Sequence, residues 1–246
     1  MNLLNPLFSP LLYSHQLLHL LGTRLFVYHP DRIPQAEAMI VVSNHRSFMD
    51  APLLMAALDR SISFACHHYM GQVPLLRDFV NRLGCFPLDA PGQRQRCFLQ
   101  RANQLLEQRK TVGIFPEGTQ PMVTETDPYQ VGHFYRGFAH LAFQAPVPDL
   151  AVLPVAIAAE TESSTSVFPV RWLSWFDPSE PLFQQSGWHP MVVYRRVNVY
   201  VGRPVWIQEL QFSEGQRKQT RTAIHELNHY CHTEIETLLA KAHLSR

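Results

Sequence analysis

The chain has 246 residues, of which 46% are hydrophobic, and its formal net charge is +1. This length and apolar content suit one large domain with a sizeable core, and the balanced charge without a basic, aromatic stripe argues against a nucleic-acid-binding protein. The four cysteines are far apart and form no CxxC pair, which argues against a zinc ribbon or a disulfide scaffold and fits a reducing compartment.

The first predicted element is an apolar helical arm over residues 1–28, in which Arg24 is the only charged side chain. Pro6 and Pro10 are expected to bend or interrupt the helix. We expect no transmembrane helix, because no stretch reaches about 18 uninterrupted apolar residues, and no cleaved signal peptide. The arm is predicted either to contact a membrane interface or to pack on the domain core. The helical spacing is carried by Leu3, Leu4, Leu7, Phe8, Leu11 and Leu12.

Residues 29–246 predict one domain in which short apolar runs alternate with helical stretches. This alternation predicts an α/β fold, a single layered domain with a mostly parallel sheet flanked by helices. The predicted strands are 38–43, 62–65, 84–88, 112–115, 151–158 and 197–202. The predicted helices are 47–58, 93–110, 133–145 and 214–243.

The segment 160–190 interrupts this alternation with three tryptophans, three phenylalanines and four prolines. It is predicted to be a long loop that is too aromatic to serve as a plain connector. We expect its rings to form a satellite hydrophobic cluster under the loop. A contact with the membrane–water boundary, or a lid over an apolar site, is the alternative.

The sequence SNHRSFMD, residues 43–50, follows the first strand of the domain and holds a histidine five residues before an aspartate. The Asp50 carboxylate is predicted to hold one imidazole nitrogen of His45, which leaves the other nitrogen to take a proton from a hydroxyl. This is the logic of a catalytic triad in which the substrate supplies the nucleophile. In the alternative, Ser47 and Asp50 form only a capping box at the start of a helix.

The sequence TVGIFPEGTQP, residues 111–121, is a second place where a strand ends in polar residues. Sites in open α/β sheets gather outside the carboxyl ends of strands, so Glu117 is predicted to converge with His45. The alternative is an ordinary Pro-Glu-Gly turn.

Taken together, the blocks NHRSFMD and FPEGT resemble the glycerolipid acyltransferase family, which contains the 1-acylglycerol-3-phosphate O-acyltransferases. Three further blocks appear in that family's order, and the resemblance extends over about residues 38 to 207. They are LGCFPLDAPG at 83–92, AVLPVAIA at 151–158 and VNVYVGRPVWI at 197–207.

The resemblance implies that His45 is the general base and Asp50 its orienting partner in the HX4D motif. It implies transfer of a fatty acyl group from a coenzyme A or acyl-carrier-protein thioester to the hydroxyl of a lysophosphatidate-like lipid. It also implies no acyl-enzyme, no metal and no further cofactor, with work at the cytoplasmic face of a membrane as a peripheral or monotopic protein. The residues then expected to bind substrate are Asn44, Arg46, Ser47, Glu117, Gly118 and Thr119.

Two departures from the family pattern concern the acceptor. Gln120 and Ala90 stand where the family usually has arginines, which suit phosphate because the guanidinium is planar. Arg94 and Arg96 are predicted to bind substrate in their place, although both equally suit a solvated helix face. An acceptor without a phosphate monoester therefore stays open beside lysophosphatidate.

Two other classes of function also stay open. The sequence HELNH, residues 225–229, matches the H-E-x-x-H signature of zinc peptidases, with His225 and His229 as ligands and Glu226 as base. Ile235 occupies the position of the third histidine in the extended signature, so a solvated face of a C-terminal helix is the favoured interpretation. The other class is a non-catalytic membrane lipid-binding protein.

Overall fold

The apolar runs of the sequence form an eight-stranded sheet in this computed structural model. The structure describes residues 9–66, 70–71, 74–88, 94–118, 126–175, 184, 188–207 and 217–244. The strands are β1 Arg24–Tyr28, β2 Met39–Ser43, β3 Ile62–Cys66, β4 Phe86–Pro87, β5 Thr111–Ile114, β6 Ala151–Pro169, β7 Trp188–Val201 and β8 Val205–Trp206. Their order in the sheet is β1-β7-β6-β2-β5-β3-β4, and β8 pairs with β6.

Strand β2 lies near the centre of the sheet, between β6 and β5, and is parallel to both. All five of its residues are buried. A strand covered on both faces has no solvated side, which explains why its sequence is a continuous apolar run rather than an alternating one. Strands β1, β3, β4 and β5 also pair in parallel, whereas β7 and β8 run antiparallel to β6.

Helices cover both faces of the sheet, so the predicted fold class is confirmed. The helices are α1 Pro10–Leu20, α2 Asp50–Ala57, α3 Pro74–Arg82, α4 Arg94–Glu107, α5 Gly137–Gln144 and α6 Arg217–Leu244. Two short 3-10 helices span Pro30–Arg32 and Val170–Trp175. Residues of α4, α5 and α6 bury one apolar cluster, and residues of α1 and α2 bury the other. Helix α3 and strands β1 and β8 were not among the predicted elements.

The N-terminal arm differs from its prediction in two respects. Helix α1 begins at Pro10 instead of being interrupted there, because proline is tolerated at the first helical position, where no N–H bond is needed. Residues 24–28 belong to the domain, as β1 pairs with β7 at the edge of the sheet. Residues 1–8 lie outside the described residues. None of the helices in the described part of the chain has the length and hydrophobicity needed to cross a bilayer.

The prediction of a long loop over 160–190 was wrong. Strand β6 continues to Pro169 and β7 starts at Trp188, so most of the segment's described residues form an antiparallel hairpin. The expected satellite cluster is also absent from the described tryptophans, because Trp172, Trp175 and Trp188 are exposed. The strand was not recognised in the sequence because TESSTS combines threonines, which favour strands, with serines, which suggest a turn.

Candidate functional site

The loop after β2 brings the predicted catalytic pair together at the carboxyl end of the parallel strands. The Nδ1 atom of His45 lies 2.8 Å from Oδ2 of Asp50, the first residue of α2. The Asp50 side chain is fully buried, whereas the His45 side chain keeps 16% of its surface exposed. The loop therefore presents one imidazole nitrogen to the carboxylate and turns the rest of the ring toward the partly open surface.

Asp50 also organises the loop itself. Its Oδ2 accepts backbone N–H bonds from Arg46 at 2.7 Å and from Ser47 at 2.8 Å. An ionised carboxylate only accepts hydrogen bonds, so the His45 Nδ1 carries the proton of this contact and Nε2 holds the lone pair in the neutral ring. The helix-start interpretation and the catalytic interpretation of this stretch are thus compatible, because the same carboxylate contacts His45 and the two backbone N–H groups.

Tyr194 on β7 completes the surroundings of Asp50, and no sequence pattern indicated this residue. Its hydroxyl donates to Oδ1 of Asp50 at 2.8 Å, and its ring is buried against the core. Burial, together with the Asp50 charge and this hydrogen bond, raises the pKa of Tyr194 well above its usual range. The phenol therefore stays a neutral donor, which fixes the carboxylate from the side opposite His45.

The plane of the His45 imidazole is set by a stack of three rings. They come from the loop after β2, from the end of β5 and from β3. His45 lies on Phe115 with ring centroids 4.1 Å apart and planes 12° apart, and Phe115 lies on Phe64 at 5.0 Å and 11°. Gly113 on β5 makes room for Phe64, since a Cβ added there would lie 2.1 Å from its ring. The stack leaves His45 little rotational freedom about its side chain.

Glu117 lies next to His45, as the strand ends predicted, but its contacts differ from the predicted substrate binding. Its Oε1 accepts the backbone N–H of His45 at 3.0 Å, and its Oε2 accepts that of Gly132 at 2.7 Å. The side chain is buried, and this burial raises the pKa of Glu117, while the two backbone N–H groups act in the opposite direction. In this structure Glu117 contacts the backbone of the loop that carries His45.

Arg46 also makes contacts within the protein rather than lying free for a ligand. Its guanidinium forms a bidentate pair with Glu162 on β6, at 2.6 Å and 3.0 Å. It donates in addition to the carbonyl oxygen of Thr126 at 2.7 Å. The residue is 7% exposed. Such a bidentate contact between a guanidinium and a carboxylate is strong when it is shielded from water, so it links the loop that carries His45 to β6.

Asn44 and Ser47 hold the two sides of the same loop. The Asn44 side-chain amide exchanges two hydrogen bonds with the backbone of Ile157, at 2.9 Å and 2.8 Å, which continues the pairing of β2 with β6 beyond the end of β2. The Ser47 hydroxyl donates to the carbonyl oxygen of Val192 at 2.6 Å. Both residues are buried, so the predicted substrate-binding residues of this loop form internal contacts, while the neighbouring His45 stays partly exposed.

The other predicted substrate-binding residues are placed only in part. Gly118 follows Glu117 with a positive φ of 71°, a turn conformation that glycine adopts without strain. Arg96 is exposed on α4, and Arg94 begins that helix. Thr119 lies outside the described residues. The two departures from the family pattern, Gln120 and Ala90, also lie outside them.

The HELNH sequence lies on α6 and does not assemble a metal site. His225, Glu226 and His229 are all exposed. Within the described part of the chain, no group of three histidine, cysteine, aspartate or glutamate side chains is placed to hold a metal ion. A catalytic zinc needs three protein ligands, so among the described residues the third ligand that a peptidase would require is missing near this pair.

Comparison with known proteins identifies the family of the chain. A family model described as Acyltransferase matches residues 24–158. The probable 1-acyl-sn-glycerol-3-phosphate acyltransferase of Mycoplasma pneumoniae is 25% identical over 59% of this chain and 54% of its own. The 1-acyl-sn-glycerol-3-phosphate acyltransferase beta of Homo sapiens is 29% identical over 54% of this chain and 46% of its own. The chain thus spans about half the length of the curated relatives it matches.

A solved structure shares the fold. The 1-acyl-sn-glycerophosphate (LPA) acyltransferase PlsC from Thermotoga maritima matches with a TM-score of 0.60, covering 95% of this chain and 78% of that chain. The two sequences are 19% identical. At this identity the likeness shows a common fold, and it extends beyond the family match to nearly the whole chain.

Proposed function

The chain belongs to the acyltransferase family, and from that premise we propose that it transfers a fatty acyl group from a thioester to a lipid hydroxyl. The observation that carries the proposal is the 2.8 Å contact between His45 Nδ1 and Asp50 Oδ2, which leaves Nε2 available to a hydroxyl. The proposed donor is an acyl-coenzyme A or an acyl-carrier-protein thioester, and no metal or further cofactor takes part.

In the proposed reaction, His45 acts as the general base. Its Nε2 takes the proton of the acceptor hydroxyl while that oxygen attacks the thioester carbonyl carbon. Asp50 stabilises the imidazolium that forms, because its carboxylate faces the protonated ring at Nδ1. Tyr194 and the two backbone N–H groups hold this carboxylate in place, so the charge pair is preorganised before the proton moves.

The second half of the proposed reaction releases the thiol. The tetrahedral intermediate collapses, the carbon–sulfur bond breaks and the ester bond remains. The thiolate leaves with the electron pair and takes the proton back from the imidazolium, which returns His45 to its neutral form. No acyl-enzyme is needed, because the acceptor hydroxyl is itself the nucleophile.

The proposed acceptor is a 1-acylglycerol-3-phosphate-like lipid, as the names of the relatives suggest. A lipid alcohol without a phosphate monoester is the alternative acceptor. It is favoured by the contacts of Arg46, whose guanidinium is occupied by Glu162 and Thr126. Among the predicted substrate-binding residues, Arg96 is a described cation, and its exposed position on α4 makes it accessible to a phosphate.

We further propose that the protein works at the cytoplasmic face of a membrane without spanning it. The proposed lipid substrates reside there, and the N-terminal arm begins with the largely apolar segment 1–8. Helix α1 packs on α2 through buried residues such as Leu18, while Leu20 at its end is 82% exposed. The arm would then use one face for the domain and keep apolar side chains for the membrane interface.

The test is acyl transfer by the purified protein from a labelled acyl thioester. The acceptor panel contains lysophosphatidate, lysophospholipids with capped phosphates, and uncharged lipid alcohols. His45→Ala should lower transfer at least about 100-fold, and the matched control His225→Ala, an exposed histidine on α6, should not change it. Transfer near the wild-type rate in folded His45→Ala would refute the mechanism. Failure of every acceptor in the wild-type protein would instead favour a non-catalytic lipid-binding protein.

A further inference from the structure

The described end of the hairpin formed by β6 and β7 carries three exposed tryptophans, and residues 176–183 and 185–187 between its strands lie outside the described residues. Trp172, Trp175 and Trp188 are 51%, 76% and 59% exposed. The first two lie in the 3-10 helix Val170–Trp175 and stack with ring centroids 6.1 Å apart and planes 14° apart. Trp188 pairs with Pro169 across the hairpin, close to the start of that 3-10 helix. Clustered exposed indoles on one projection are typical of an interaction surface.

The position of this tip relative to the site follows from the sheet. Strand β6 is parallel to β2 and continues beyond the carboxyl end of β2, so the hairpin projects on the side of His45. The base of the hairpin supplies Glu162 and Tyr194 to the site. At about 3.3 Å per residue, the tip lies roughly 20 Å beyond Glu162 along the ribbon.

The hairpin also adjoins the apolar arm. The Thr23 hydroxyl donates to the carbonyl oxygen of Tyr194 at 2.9 Å, and Arg195 donates to the carbonyl oxygen of Leu21 at 2.9 Å. The end of α1, where Leu20 is exposed, is therefore attached to the base of the hairpin. The arm proposed to contact the membrane therefore adjoins the same hairpin that carries the tryptophans.

The chemistry of the tip favours a lipid interface as its occupant. An indole combines a large apolar body with one N–H donor, which suits the boundary between headgroups and acyl chains. Among the described residues of the tip, 169–175 and 188, the one charged side chain is Arg171. With so little charge, this surface is not built to select a charged partner, so its binding is expected to rest on the indoles.

We propose that the tryptophan-tipped hairpin inserts into the headgroup region of a bilayer and holds the catalytic side of the protein against its lipid substrate. This inference rests on the proposed function for the identity of the substrate, but the binding itself needs no turnover. The rings would increase the local concentration of acceptor at the site and would leave the chemical step unchanged.

Vesicle flotation tests the proposal with the full chain. The wild-type protein should float with phosphatidylcholine vesicles, and the bound fraction should be the same at low and high salt. The triple variant W172S/W175S/W188S should bind at least about tenfold more weakly, because each indole contributes substantial apolar area. The control Leu244→Ser removes an 85% exposed apolar side chain at the end of α6 and should float like the wild type.

Fluorescence locates the contact. The chain has four tryptophans, and the triple variant keeps only Trp206, which is partly buried in β8. Brominated phosphatidylcholine should quench the wild-type emission, whereas the emission of the triple variant should be insensitive to it. Equal quenching of both proteins would overturn the proposal.

Two other results would also overturn it. Equal flotation of the wild type and the triple variant would assign binding to the arm alone. Dimerisation of the wild type that the triple variant loses, without any difference in flotation, would make the tip a protein interface.

Where turnover is measurable, the triple variant should raise the KM for vesicle-bound acceptor and keep the kcat for a short-chain, monomeric acceptor. Flotation without any turnover would refute the proposed function and leave this inference standing.

Discussion

Replacing Glu117 by glutamine separates a positioning role from the substrate-binding role that the sequence predicts. The carboxylate accepts one backbone N–H at each oxygen, from His45 and from Gly132. A glutamine has one oxygen, so in either orientation its NH₂ faces one of these donors. The change keeps the shape of the side chain and removes one buried hydrogen bond.

The magnitude follows from these contacts. Leaving a buried N–H without its acceptor costs about 1–3 kcal/mol. Removal of the buried charge of Glu117 offsets part of this, because burial already raises its pKa. We therefore expect Glu117→Gln to lower the Tm by roughly 2–8 °C in a chain of this size. Because the lost contact holds the backbone of His45, kcat should fall about 10- to 100-fold.

The assay is steady-state kinetics with the acceptor varied, beside a thermal melt. A positioning role predicts a lower kcat with an acceptor KM that stays within about threefold of the wild type. The matched control is Glu226→Gln on α6, an exposed glutamate within HELNH, which should leave the kcat, the acceptor KM and the Tm unchanged. An acceptor KM that rises tenfold or more, with kcat and Tm unchanged, would refute the positioning role and restore the substrate-binding one.

Three further predictions concern the same site. His45→Ala should lower kcat at least about 100-fold in a variant that still folds, since it removes the base but leaves Asp50 its bonds from Tyr194, Arg46 and Ser47. Tyr194→Phe should lower the free energy of unfolding by about 1–3 kcal/mol in urea titrations, because Asp50 loses a buried donor; it should keep more activity than His45→Ala because the His45–Asp50 contact survives. The raised pKa of Glu117 means that the folded state holds this proton more tightly than the unfolded state. Wild-type stability relative to Glu117→Gln should therefore be greatest at acidic pH and fall as pH rises from the ordinary glutamate pKa through the raised one, and a difference that grows with pH would contradict this sign.

The part of the site that the sequence predicted is the part encoded locally. The apolar run of β2 and the His–Asp spacing that follows it lie within one short stretch, and the structure brings His45 and Asp50 into contact. Glu117 was placed beside His45 by a general rule, that the carboxyl ends of parallel strands share one edge of the sheet. Its role could not be read in the same way, because a carboxylate at a strand end suits a ligand and a backbone N–H equally well.

The part that the sequence could not predict depends on the register between distant strands. Tyr194 meets Asp50 across 144 residues, and Glu162 meets Arg46 across 116. Both partners lie on the hairpin, whose extent was hidden because its serine- and threonine-rich strand resembles a loop. The strand pairing that fixes which residues face the loop is set by the bulged antiparallel register of β6 and β7, and no local pattern encodes it.

The hairpin therefore supports the loop that carries His45 and is not an appendage to the domain. Arg46, Ser47 and Asp50 each bond to it, through Glu162, the Val192 carbonyl oxygen and Tyr194. These three contacts come from both strands, so the loop geometry requires β6 and β7 to be paired at their base. The proposed lipid-binding tip and the base that contacts the loop carrying His45 are joined by one continuous ribbon. Because the base has its own buried contacts, we expect that the proposed docking of the tip at a membrane would leave the loop aligned.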